Sequence, residues 1–299
     1  MRTERKEISD RSFALLLMLP AFIVIFLVII YPLLDTIVTS FFRFFLTDDR
    51  GREFIGLENY RFMLTSTEFW KGFLNTMLYV GGTVVGEFIL GFALALLVNF
   101  QYKGKSTVNT LFFVSWIIPS VVVALITKYL FFDHYNGIVN VVLKELGIIK
   151  DYVPWLKSTT LAMPTLIIAT IWKMFPFMFV LMYAGLQAIP IEEIEASKID
   201  GAGAWARFFL ITLPNMQNII VLATILEFIW QFQYMTVIWT TTKGGPVDAT
   251  TTLPVLIYRI SFKGSMNMGY ASTMGVFWLV FLLFFSMLYI RLVSRKEEE

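Results

Sequence analysis

The sequence predicts an all-α membrane protein with six transmembrane helices, and three observations lead there. Hydrophobic residues fill 57% of the 299 positions and charged residues only 15%, against about 25% charged in an ordinary soluble domain. Mean hydropathy is +0.71, more apolar surface than a soluble chain of this size can bury and too apolar for disorder. The apolar residues also fall into six stretches, each near the roughly 20 residues a helix needs to cross the hydrocarbon core. Backbone polar groups in lipid must be satisfied within the segment, so such stretches are helices.

The spans are expected at 13–34, 73–98, 111–132, 161–186, 219–239 and 271–290. They divide the chain into a cytoplasmic N-terminus (1–12), a first helix (13–34), an external loop (35–72), a core with five helices (73–290) and a cytoplasmic tail (291–299). The first stretch reads as a retained anchor. It is longer than a signal-peptide apolar region of roughly 7–15 residues, follows Glu4, Glu7 and Asp10, and has no A-x-A site after it. Lys and Arg divide evenly between the two sides, but the inside segments are shorter, so their density favours both termini inside.

Composition also removes chemistry. Cysteine is absent and His134 is the only histidine, which excludes disulfides, thiolate metal sites and cysteine nucleophiles. His134 reads as a solvated turn residue. No metal or cofactor is expected. A net charge of +2 gives no footprint for nucleic acid. Gly104-Lys105-Ser106 looks like the end of a P-loop, but Asn99 stands where its first glycine belongs and a membrane helix precedes it. Gly82 and Gly86 form a small-xxx-small pattern that suggests close packing of the second span on a neighbour.

The most patterned segment lies between the fourth and fifth spans. Pro190 can open a helix, Glu192, Glu193 and Glu195 suit its first turns, and Ile191, Ile194, Lys198 and Ile199 are expected to share a face. Asp200-Gly201 breaks that helix, an aromatic segment from Trp205 follows, and Pro214 leads into the fifth span. The residues Glu195-Ala196-Ser197, Asp200-Gly201-Ala202, Phe208, Ile211, Leu213 and Pro214 closely resemble the EAA loop of ABC importer permeases, with Ser197 where the family usually has alanine. Gly56-Leu57-Glu58-Asn59-Tyr60, Pro119, Gly137-Ile138-Val139-Asn140, Trp172 with Pro176-Phe177, and Gly244-Gly245-Pro246 with Ala249-Thr250 and Tyr258-Arg259 resemble carbohydrate permeases of the maltose-type first-permease subfamily, in the expected order.

The resemblance implies a type I importer permease fold in a prokaryotic cytoplasmic (inner) membrane, with the loop facing the cytoplasm. It implies a second, homologous permease, two ATP-binding cassette subunits, an extracytoplasmic solute-binding protein and a sugar substrate. ATP hydrolysis then belongs to partner subunits, and this chain is no enzyme. Glu195, Ala196, Ser197, Asp200, Gly201, Leu213 and Pro214 are the expected ATPase-docking residues.

Ionisable groups inside a span cost about 2.5–3.5 kcal/mol and point to function. Glu87, Lys173 and Glu227 are such groups. Glu87 reads as a buried pair or packing contact, or as functional. Lys173 is expected either to pair with Glu227 or to line a pathway. Glu227, Trp230, Gln231 and Tyr234 follow i, i+3, i+4, i+7 spacing. With Gln233, Trp172 and Lys173 they are the substrate-pathway candidates, since amides, carboxylates and aromatic rings suit a saccharide. Glycerol-phosphate-type uptake by the same machinery and an ion-coupled transporter through Glu87 and Glu227 are the alternatives. A membrane-embedded enzyme and a non-transporting structural or sensory subunit are the remaining rivals.

Overall fold

A computed structural model describes residues 10–49, 51–100 and 103–294. Most of the expected cytoplasmic N-terminus (1–12) and cytoplasmic tail (291–299) lies outside the described residues. The chain divides into two compact units, one of residues up to Thr65 with Ile257–Val280, the other of Ser66–Leu256 with the segment from Phe281.

The first unit opens with α1 (Asp10–Ile25), a π-helical turn (Phe26–Ile30) and α2 (Tyr31–Thr39). Pro32 sits at the start of α2. Its ring would collide with the carbonyl four residues back and it offers no N–H, and the widened turn directly ahead of it relieves both demands. The apolar span Ala14–Thr39 buries none of its most hydrophobic window in this chain, which leaves that surface to lipid or to a partner chain. Strands β1 (Phe42–Arg43) and β2 (Glu53–Phe54) pair antiparallel, followed by α3 (Glu58–Thr65). Asn59, from the G-L-x-N-Y segment, donates from Nδ2 to the carbonyls of Ser40 (3.0 Å) and Phe42 (2.9 Å), and so ties α3 to the chain entering β1.

The second unit begins with α4 (Thr67–Val98), capped by the Ser66 hydroxyl, which accepts from the Phe69 N–H at 3.3 Å. The third span is not the single helix expected at 111–132. It is α5 (Lys105–Phe112), α6 (Val114–Ile117) and α7 (Ser120–Leu130), with a bend of 91° at the break. Pro119 explains this: the residue before a proline is pushed out of helical geometry, and Ile118 has ψ 129°. Next come α8 (Ile138–Glu145) and α9 (Ala162–Ala188). Asn140 makes the intervening loop compact, since its side chain bonds Phe132 O, Val153 O and N, and Trp155 Nε1 at 2.9–3.0 Å.

α4 packs along α9 through glycines. A Cβ on Gly82 would stand 3.0 Å from Ile167, one on Gly86 would overlap Ile171, and one on Gly91 would stand 2.8 Å from the Phe179 backbone nitrogen. Lipid tails are as apolar as side chains, so close van der Waals approach holds such helices together. The buried cluster includes Phe92, Ala95, Phe179, Met182, Leu186 and Met216.

The patterned loop forms α10 (Ile191–Ile199), a turn, α11 (Ala204–Arg207), a π-helical turn (Phe208–Thr212) and α12 (Leu213–Asn215). This second π turn again precedes a proline, Pro214. The fifth span is α13 (Gln217–Gln233) and then α14 (Thr236–Thr241), interrupted at Tyr234, which leaves helical geometry at ψ 94°. α15 (Leu253–Phe262) and α16 (Met268–Ser294) complete the chain. Among the described residues five helices are long and apolar enough to cross a membrane, or six where the bent pair counts as one span.

Candidate functional site: a buried polar cluster, a pinned helix break and the loop 190–214

Glu87 on α4 meets Glu227 and Gln231 on α13. Gln231 Nε2 donates to Glu87 Oε1 at 2.7 Å and reaches Glu227 Oε2 at 3.5 Å. Both carboxyl groups are fully buried and Gln231 is 1% exposed. The two carboxyl groups also hydrogen-bond one another, which places a shared proton between them, while Gln231 Oε1 has no hydrogen-bond partner among the described residues.

Lys173 does not pair with Glu227, contrary to one expectation. Its ammonium donates to the carbonyls of Ile118 (2.7 Å) and Trp116 (3.2 Å). Those carbonyls belong to the free end of the first half of the broken span, where the helix leaves acceptors unsatisfied and concentrates partial negative charge. A cation supplied from α9 satisfies both. On the other side of Pro119, the Tyr234 hydroxyl donates to Ser120 Oγ at 2.8 Å. The break is thus held from α9 and from the interruption of the fifth span. Sequence reasoning missed Ser120 and the two carbonyls; Ile118-Pro119-Ser120 carried the signal.

The expected stripe on the fifth span divides between environments. Glu227 and Gln231 turn inward to α4, Tyr234 is half-buried at the break, and Trp230 and Gln233 are exposed. Trp230 lies on Phe177 with ring centroids 4.7 Å apart. Trp172 is also exposed and lines an apolar cleft of about 250 Å³ beside α7.

The loop residues divide likewise. Glu195, Ala196, Asp200, Gly201 and Pro214 are exposed, Leu213 is half-buried and Ser197 is buried. The Ser197 hydroxyl donates to Ile194 O at 2.7 Å, so it needs no outside partner. The shared face expected for Ile191, Ile194, Lys198 and Ile199 does not form: Ile194 packs on the buried cluster, while Ile191, Lys198 and Ile199 are exposed. The inward face is Ile194 and Ser197, one turn apart. Gly201 has φ +77°, a left-handed conformation that glycine adopts without cost. Arg207 Nη1 closes the turn on Ala202 O at 2.6 Å. Asn215 Nδ2 donates to Glu193 Oε2 at 2.8 Å, which links α10 to the foot of the fifth span.

The order of broken span, glycine-packed spans and patterned loop has known counterparts. The model of the family described as "Binding-protein-dependent transport system inner membrane component" matches residues 87–298. The chain belongs to this family. It is a multi-pass membrane protein of a binding-protein-dependent transport system. It is 36% identical to the sulfoquinovosyl glycerol transport system permease protein SmoG of Agrobacterium fabrum, over 97% of this chain and 93% of that protein. It is 32% identical to the trehalose/maltose transport system permease protein MalF of Thermococcus litoralis, over 97% and 96% of the respective chains. A chain of the bacterial alginate ABC transporter, solved with an alginate pentasaccharide-bound periplasmic protein, superposes with a TM-score of 0.81 at 23% identity and 95% coverage of each chain. The fold is that of type I ABC importer permeases.

Proposed function

We propose that this chain is one permease subunit of an ATP-driven importer of a saccharide. The observation that carries the reading is likeness along almost the whole chain to sugar-transport permeases, at 36% and 32% identity. In this reading both termini and the loop 190–214 face the cytoplasm. A second, homologous permease completes the pathway, a solute-binding protein delivers the sugar outside, and two ATPase subunits dock inside. The chain itself performs no covalent step.

Docking uses the exposed side of α10 and its turn, with Glu195, Ala196, Asp200 and Gly201 beside Ile191 and Ile199. Ile199 is 86% exposed, and apolar side chains standing free on a short cytoplasmic helix suit burial in a partner's cleft. Ser197 and Leu213 act from beneath, seating the helix on its own bundle. Movement of the docked helix passes through Leu213, Pro214 and the Asn215–Glu193 bond to the fifth span. From there it reaches the broken third span through Tyr234 and Ser120. The exposed rings and amide of Trp172, Trp230 and Gln233 are the substrate-facing set, whereas Glu227, Gln231 and Lys173 hold the helices that carry them.

Affinity purification of the full chain from its host membrane tests this. An ATPase subunit and ATP hydrolysis are expected to co-purify with the native chain and to be lost with Ile199→Asp, which removes no internal packing. A well-behaved native chain that retains no ATPase under gentle extraction overturns the reading.

A further inference from the structure

A cavity of about 340 Å³ lies among the end of α7, the loop before α9 and the Gly-Gly-Pro turn after α14. It sits at the N-terminal end of α9, whereas the loop 190–214 follows the C-terminal end of that 27-residue helix. At 1.5 Å per residue the two lie on opposite sides of the membrane. The volume falls within the roughly 300–1,000 Å³ of small-molecule sites.

Its lining combines three kinds of group. Phe131 and Phe132 supply aromatic surface, and Phe131 is steadied by Trp155, with centroids 5.8 Å apart. Asp133 and Lys157 form an ion pair at 2.6 Å. The hydrogen bond from Lys157 holds the Asp133 carboxyl below the usual aspartate range, so the pair stays ionised at neutral pH. Lys128 is exposed in the last turn of α7 and has no anionic partner among the described residues. Two ammonium groups against one carboxylate leave the lining with one excess positive charge. In the wall, Thr241 is buried and its hydroxyl makes no hydrogen bond.

We propose that this cavity is an entry subsite for a saccharide unit bearing a carboxylate, held before it passes into the membrane. The proposal rests on the saccharide-permease reading and narrows its substrate class. The apolar C–H face of the sugar ring lies on the phenylalanines. Ring hydroxyls donate to Asp133 and accept from Lys157, and one reaches Thr241 once its side chain turns about χ1. The carboxylate pairs with Lys128 in a charge-assisted contact. A neutral sugar makes all of these contacts except the last.

The test is ligand-observed saturation-transfer NMR on the purified full chain in phosphatidylcholine nanodiscs, with glucuronate and glucose as probes. Both are expected to bind saturably, glucuronate about tenfold more tightly. Lys128→Met should remove that preference and leave glucose binding unchanged. Thr241→Val should weaken both probes about fivefold, with Thr241→Ser restoring them; size-exclusion profiles establish that each variant is folded. The proposal is overturned if neither probe saturates, or if both variants bind as the native chain does. It is equally overturned if inorganic phosphate or added phosphatidylglycerol displaces glucuronate while glucose never binds, which would make Lys128 a headgroup or simple anion contact. ATP-driven saccharide uptake that is indifferent to both variants would sink the subsite and leave the permease reading standing.

Discussion

Gln231 has two jobs at once, since its single amide nitrogen serves carboxyl groups from two helices. Its bond to Glu87 is 2.7 Å and the one to Glu227 is 3.5 Å, so the link between α4 and α13 depends chiefly on the first. Glu87→Gln keeps an oxygen for the amide to donate to. Glu87→Ala leaves that buried donor only the long 3.5 Å contact to Glu227, a loss of about 1–3 kcal/mol. Thermal unfolding of the purified chain should therefore put Glu87→Gln near the native protein and Glu87→Ala clearly below it. Equal melting of the two variants would mean that the amide finds another acceptor. At this scale the sequence made the groups legible but not their partners. Glu227, Trp230, Gln231 and Tyr234 occupy an arc of about 100° on one helix, and the boundary between chain interior and exposed surface runs through that arc. Helical spacing alone does not locate such a boundary. The pairing of Lys173 with Glu227, one of its two expected roles, fails for a related reason. Side-chain charges are visible in a sequence, whereas the backbone carbonyls freed at Pro119 are visible only once the helix is known to break there.

At the scale of elements, α4 and α9 approach closely because glycine removes the side chains between them. The positions are not equivalent. A methyl at Gly86 would meet the end of the Ile171 side chain, which can move, whereas one at Gly91 would stand 2.8 Å from the backbone of Phe179, which cannot. Gly81 has nothing within 4 Å. Gly91→Ala should lower stability by about 1–3 kcal/mol through overpacking, and Gly81→Ala should be neutral or slightly stabilising. Melting temperatures in one detergent check the order; a Gly81→Ala loss as large as that of Gly91→Ala would show that helix flexibility matters more than fit. The apolar spans themselves were legible because length and hydropathy decide them. The broken span was less so, because a hydropathy window averages across a bend that one proline imposes.

For the whole molecule, the sidedness argued above has a direct check. The chain has no cysteine, so any cysteine introduced is the only thiol. Both Ile199 and Lys157 stand exposed. In intact cells a membrane-impermeant maleimide should label Lys157→Cys and spare Ile199→Cys, and the reverse should hold in inside-out vesicles. The opposite result would invert the proposed orientation and detach the loop 190–214 from any cytoplasmic partner. Lys and Arg divide evenly between the two sides, so the proposed orientation rests chiefly on the resemblance carried by the residues of the loop 190–214.

The first and fourth spans are of similar length, 26 and 27 residues, yet the first buries none of its apolar window in this chain and the fourth buries 61%. Two different filters therefore act on one protein. Along the first helix a substitution is judged as a solute is judged by a solvent: any oily side chain passes, and the order of the letters carries little information. Along the fourth it is judged as a part is judged by its mould, where isoleucine and leucine are different answers. Exchanges among apolar side chains should therefore be tolerated along the first helix and discriminated along the fourth.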